Sequence, residues 1–126
     1  MKSILYFISM LSLLLATSVW ADKAPYTQQE FDRLIKEGNP VLVEVHADWC
    51  SSCRVQANIT DALLREKPYS HIRSLRLDYD KQKDALKRLR ISKQSTLLIF
   101  KNGKEVGRIL GDTSDEGIEN LLKKVI

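Results

Sequence analysis

Hydrophobic positions change their period several times along the chain. Thr27-Gln28-Gln29-Glu30 has the form of a capping box, and Phe31, Leu34 and Ile35 follow at helical spacing. Gly38-Asn39-Pro40 ends that helix. Val41-Leu42-Val43-Glu44-Val45 is β-branched and almost continuously apolar, the pattern of a strand buried on both faces, with Glu44 the exception. From Cys50 to Glu66 there is no Gly or Pro, and Val55, Ile59, Ala62 and Leu63 keep a helical period until Pro68 stops it. Ile72 to Asp78 alternates, with Leu75 and Leu77 on the more apolar face, which predicts a strand. Asp80 is the predicted cap of a helix carrying Ala85, Leu86 and Leu89. Thr96–Phe100 is a second buried strand, turned by Asn102-Gly103 into Glu105–Leu110, where Gly111 breaks it. Thr113 to Glu116 is a second capping box, opening a last helix with Ile118, Leu121, Leu122 and Val125. The order helix, strand, helix, strand, helix, strand, strand, helix predicts an α/β domain. Its first strands are parallel and joined by crossover helices, and it closes on an antiparallel hairpin.

Residues 1–21 follow no such rhythm. Lys2 is their one charge, an apolar run from Ile4 to Leu15 is interrupted only by Ser9 and Ser12, and Val19 and Ala21 are the small residues of a cleavage site. This is the pattern of a secretory signal cut after Ala21. The alternative is an uncleaved anchor, since residues 3–20 reach the short limit of a membrane span. The segment does not read as a helix of the folded domain, because no polar face exists to meet water. The expected organisation is a signal over 1–21 and one folded domain over 22–126, exported to a periplasm or tethered facing it.

Composition sets wide bounds. A chain of 126 residues with 44% hydrophobic and 29% charged positions is one domain, neither fibrous nor broadly disordered. The net charge of +4 is too small to point to nucleic acid. Lys81, Lys83, Lys87, Arg88, Arg90 and Lys93 form a basic cluster, read as a solvated face without the interleaved aromatics that stack on bases. Two cysteines are too few for a disulfide framework or for the four ligands of a structural zinc.

Their placement makes them the candidate chemistry. Trp49-Cys50-Ser51-Ser52-Cys53 follows a buried strand and opens a helix. The two-residue spacer lets the sulfurs close a small ring, and export lets them stay paired. At a helix N-terminus, unpaired N–H groups and the helix dipole favour a thiolate on Cys50, the expected attacking sulfur. Cys53, one turn in, is the expected resolving thiol. Glu44, six residues before Cys50, places a carboxylate where burial is costly unless it is paired or protonated. It suits a proton relay for Cys53, or else a structural pair with a basic residue such as Arg76.

These residues resemble the thioredoxin family. Val41 to Cys53 is similar to its active-site strand and helix, and Thr96-Leu97-Leu98-Ile99-Phe100-Lys101-Asn102-Gly103-Lys104 is similar to its strand and hairpin after a cis-proline. Gly111 matches the glycine of the next loop. The resemblance covers essentially all of residues 22–126. It implies a thioredoxin-like fold, a central mixed β-sheet flanked by helices on both faces. It also implies thiol–disulfide exchange on protein substrates through a Cys50–Cys53 disulfide, with no organic cofactor. By the same resemblance Trp49 is a lid over the disulfide, and Ser51 and Ser52 support the site. Gln94, Ser95 and Thr96 are the substrate-binding segment. A monomer recharged by a membrane redox partner is expected.

The chain departs from that family in its spacer, Ser51-Ser52 rather than Gly-Pro, and most of all at Ser95, which stands where the cis-proline belongs. A serine leaves open whether the Gln94–Ser95 bond is cis or trans. In the family, loss of this proline can open the cysteines to metal. The second expectation is therefore a module that holds copper(I) or zinc through Cys50 and Cys53, with His46 and His71 the other metal-ligating side chains of the sequence.

Overall fold

A computed structural model describes residues 23–126, and the expected export signal, residues 1–21, lies outside them. Five strands form one sheet in the order β1-β3-β2-β4-β5, where β1 is Lys23–Pro25, β2 Val41–His46, β3 Arg73–Asp78, β4 Thr96–Lys101 and β5 Lys104–Leu110. β1 and β2 flank β3 in parallel; β4 is antiparallel to both β2 and β5. The helices are α1 (Gln28–Lys36), α2 (Ser51–Leu63), α3 (Lys83–Arg88) and α4 (Asp115–Leu122), followed by a short 3-10 turn over Lys123–Val125.

Strand alternation divides the core into two layers. Val41, Val43 and Val45 of β2 and Leu98 and Phe100 of β4 pack with Phe31 and Leu34 of α1 and Ala85 and Leu86 of α3. Leu42, Leu97 and Ile99 point the other way, onto Leu63 of α2 and Ile118, Leu121 and Leu122 of α4. A strand clothed on both faces has no wet side, which is why β2 and β4 read as unbroken apolar runs. The expected mixed sheet with helices on both faces is the one found.

Local signals hold with three corrections. Thr27 caps α1 by accepting the Glu30 N–H at 3.1 Å, and Asn102 and Gly103, at φ of 51° and 79°, make the tight hairpin turn. The first correction is β1, which the alternation did not predict: three residues are too few to show a period, and only pairing with β3 makes them a strand. The second is Asp80, which does not cap α3. Gln82 holds the N-cap position with no side-chain cap bond, because Asp78 Oδ1 already takes the Asp80 and Lys81 N–H groups. The third is the cap of α4, which is Ser114 rather than Thr113. Asp112 Oδ1 accepts from the Ser114 N–H and hydroxyl, and the Ser114 oxygen then accepts the Gly117 N–H at 3.1 Å.

Candidate active site

β2 delivers the chain to the carboxyl end of the sheet, and α2 starts at once. Cys50 is the N-cap of α2; its sulfur accepts the Cys53 N–H at 3.2 Å. Cys50 and Cys53 are joined as a disulfide, with Cα atoms 5.3 Å apart. Both are buried, at 4% and 3% exposure, against Ala47 and Tyr79. The small ring at a helix start is thus where the spacing placed it, and the Cys53 N–H of the first turn points at Cys50 Sγ.

Trp49 is 60% exposed beside the disulfide. Its indole N–H donates to Asp80 at 3.0 Å, and its ring meets Tyr79 edge-on at 6.5 Å. The carboxylate expected to cap α3 instead anchors this tryptophan. Ser51 is exposed at the rim, whereas Ser52 is half-buried with its hydroxyl 3.3 Å from Cys50 Sγ.

Glu44 is 4% exposed, on the sheet face that α2 covers. Lys23 Nζ lies 2.9 Å from its Oε2 and donates to Oε1 at 3.1 Å, Ser74 donates at 2.6 Å, and Thr60 donates as well. The basic partner is therefore Lys23 from β1, not Arg76, although Arg76 is its register neighbour on β3. Arg76 Nε is buried without a hydrogen-bond partner among the described residues. Thr60 stands seven residues beyond Cys53, about 10 Å along the helix, and the hydrogen bonds that Glu44 accepts include none from Cys53.

Ser95 is buried at 3%, in the left-handed region at φ 63°, and its peptide bond is trans. A non-glycine residue there is strained by about 1–2 kcal/mol. Four hydrogen bonds hold it in place. Its N–H donates to Val45 O at 2.9 Å, and its carbonyl accepts from the Gly111 N–H at 2.8 Å and from Gln56 Nε2 at 3.0 Å. Its hydroxyl donates to Ser52 at 2.9 Å. Thr96 opens β4 with its hydroxyl on Lys93 O, and Gln94 is half-buried beside it.

Cys50, Cys53, Trp49, Ser52 and Ser95 converge, while Glu44 approaches from beneath α2. His46 pairs with Asp48 at 3.4 Å and His71 is exposed. Among the described residues, no three His, Cys, Asp or Glu side chains come together as a metal site. Sequence reasoning missed Lys23, Gln56 and Asp80. Gln56 carried a signal: it falls three residues after Cys53, on the stripe of α2 that faces the core, where a polar residue needs a partner.

Comparison with known proteins agrees with this geometry. The family model described as Thioredoxin matches residues 22–124. Thioredoxin-1 of Saccharomyces cerevisiae is 34% identical over 85 residues, covering 68% of this chain and 81% of that protein. The thioredoxin of Chlamydia pneumoniae is 33% identical over 98 residues, covering 78% and 93%. Among solved structures, Trxlp from Edwardsiella tarda EIB202 superposes with a TM-score of 0.77 at 37% identity, over 79% of this chain and 97% of that one. With the fold, the helix-capping disulfide and this span of similarity in place, the chain belongs to the thioredoxin family and is a thiol–disulfide oxidoreductase.

Proposed function

We propose that the protein is exported by residues 1–21 and exchanges or reduces disulfides of protein substrates in a periplasm, as a monomer recharged by a membrane redox partner. The observation that carries the chemistry is the Cys50–Cys53 disulfide closed over the first turn of α2. In the reduced protein, the Cys50 thiolate attacks one sulfur of a substrate disulfide and expels the other as a thiolate. Cys53 then gives up its proton, attacks Cys50 Sγ and releases the second substrate thiolate. Two electrons pass to the substrate, Cys50 and Cys53 are left as a disulfide, and the substrate sulfurs take up protons.

Glu44 is the acceptor for the Cys53 proton. It is reached through water, because the side chain's direct partners are Lys23, Thr60 and Ser74. Substrate backbone joins as an added strand beside Gln94–Thr96, against Trp49. Within that segment, the Ser95 N–H and carbonyl are already bonded internally, so the pairing falls to its neighbours Gln94 and Thr96.

Trapping tests the order of attack. Cys53→Ser accumulates a mixed disulfide with substrate through Cys50, and Cys50→Ser abolishes insulin reduction. If Cys53→Ser turned over normally, the resolving role would be lost. N-terminal sequencing of protein recovered from the periplasm is expected to begin at Asp22; an intact N-terminus would replace cleavage with the tether.

A further inference from the structure

Beyond the disulfide itself, a chain of two hydroxyls ends on Cys50 Sγ. Ser52 Oγ lies 3.3 Å from Cys50 Sγ, and Ser95 Oγ lies 2.9 Å from Ser52 Oγ. The direction of the chain follows from counting protons. In the disulfide Cys50 Sγ has none, so it can only accept, and Ser52 must donate to it. Each hydroxyl carries one proton. Ser52 has spent its own on the sulfur, so the proton between the two serines belongs to Ser95.

The far end of this chain is held against strain. Ser95 keeps a left-handed backbone, φ 63°, which a serine adopts only under strain. Three partners from separate parts of the fold impose it: Val45 of β2, Gln56 of α2 and Gly111 after β5. Strain that the surroundings over-determine is the mark of a functional position. The Ser95 hydroxyl donates to Ser52, with Ser95 itself 3% exposed and Ser52 half-buried.

We propose that Ser95 and Ser52 form a hydroxyl relay that stabilises negative charge on Cys50, with Ser52 a catalytic residue touching the reacting sulfur and Ser95 a positioning residue acting through it. A hydroxyl that already accepts one hydrogen bond donates the next more strongly. Bonds to a charged acceptor are about twice as strong as neutral ones. The relay therefore favours the thiolate over the thiol, in addition to the Cys53 N–H at 3.2 Å and the helix dipole.

Other charges also bear on the sulfur. His46 and Asp48 lie on the segment before α2, and Arg54 donates to Asp48 O from α2. Tyr79 and Asp80 follow β3 against Trp49, and Glu44 with Lys23 lies beneath. From the loop after β5, Asp112 gives its carbonyl to Gln56 while its carboxylate accepts from Ser114. None of these is altered by substituting Ser52 or Ser95, so they cancel in the comparison.

The inference rests on Cys50 being the attacking sulfur, and the test separates the two. The full chain, processed as it is exported, is reduced and alkylated with iodoacetamide from pH 4 to 9, with the labelled cysteine mapped by mass spectrometry. Ser52→Ala is expected to lower the rate at pH 6 about three- to tenfold and to move the profile toward higher pH. Ser95→Ala is expected to do the same about two- to threefold. Ser95→Gly, which suits the left-handed backbone, serves where the alanine variant fails to fold. Ser52→Thr, which keeps the hydroxyl, restores the profile. The decisive outcome is non-additivity: once Ser52 is alanine, substituting Ser95 changes nothing further. An unmoved profile in Ser52→Ala, or a Ser95 effect that persists without Ser52, overturns the relay. Faster labelling of Cys53 overturns instead the assignment of Cys50.

Discussion

Lys23 and Glu44 belong to strands separated by β3, and they meet over Ser74, with exposed fractions of 14% and 6% for their side chains. A carboxylate this buried relies on every donor it has. Lys23→Ala keeps the two hydroxyls but removes the only cation at hydrogen-bond distance from Glu44 among the described residues. The expected loss is about 3 kcal/mol in urea unfolding, with part regained in the double variant Lys23→Ala/Glu44→Gln, where no unpaired charge is left. An unchanged urea midpoint in Lys23→Ala would show that the hydroxyls suffice. The need for a partner was legible in the sequence, since Glu44 interrupts an apolar run. The identity of the partner was not, because Lys23 stands 21 residues away on a strand too short to show a pattern.

At the scale of the element, capping residues decide where helices begin. α4 starts after Ser114, and the Asp112 carboxylate holds Ser114 extended, at φ −93° and ψ 142°. Ser114→Ala is expected to cost about 1 kcal/mol, against little for Thr113→Ala. Equal losses from the two would move the cap back to Thr113. The capping-box pattern came within one residue of the answer because Thr113 and Ser114 are both good caps. The choice between them was made by an Asx turn two residues upstream. α3 is a plainer case: Asp80 had the composition of a cap, but its carboxylate is taken up by Trp49.

For the whole molecule, two tyrosines clamp opposite core layers. Tyr26 packs with Phe31 and α1, and burial pushes its phenol up to about 12, helped by the negative charge of Asp32. Tyr69 packs with α2 and α4, and its hydrogen bond to Glu119 at 2.7 Å, aided by burial, also raises it to about 12. An unfolded tyrosine ionises near 10. Between pH 10 and 12 the folded state therefore keeps protons that the unfolded state sheds, so stability is intact below pH 10 and declines through that window. Absorbance of tyrosinate in the folded protein should show Tyr26 and Tyr69 still protonated at pH 11, and Tyr69→Phe should flatten the alkaline fall in melting temperature. A common ionisation midpoint near 10 would contradict both assignments.

Sequence alone determined the class of the fold, because period-two runs, helical periods, caps and the Asn102-Gly103 turn are local signals that each segment carries by itself. It also determined where the chemistry lies, because two cysteines three positions apart at a helix start need no distant partner to form their ring. Tertiary structure decided what surrounds that ring. Lys23 on Glu44, Asp80 on Trp49, Gln56 and Val45 around Ser95, and Ser95 on Ser52 are contacts between side chains and backbone far apart in the chain. No periodicity encodes such pairs. They exist only once β1, β2 and β4 lie in one sheet and α2 packs across it.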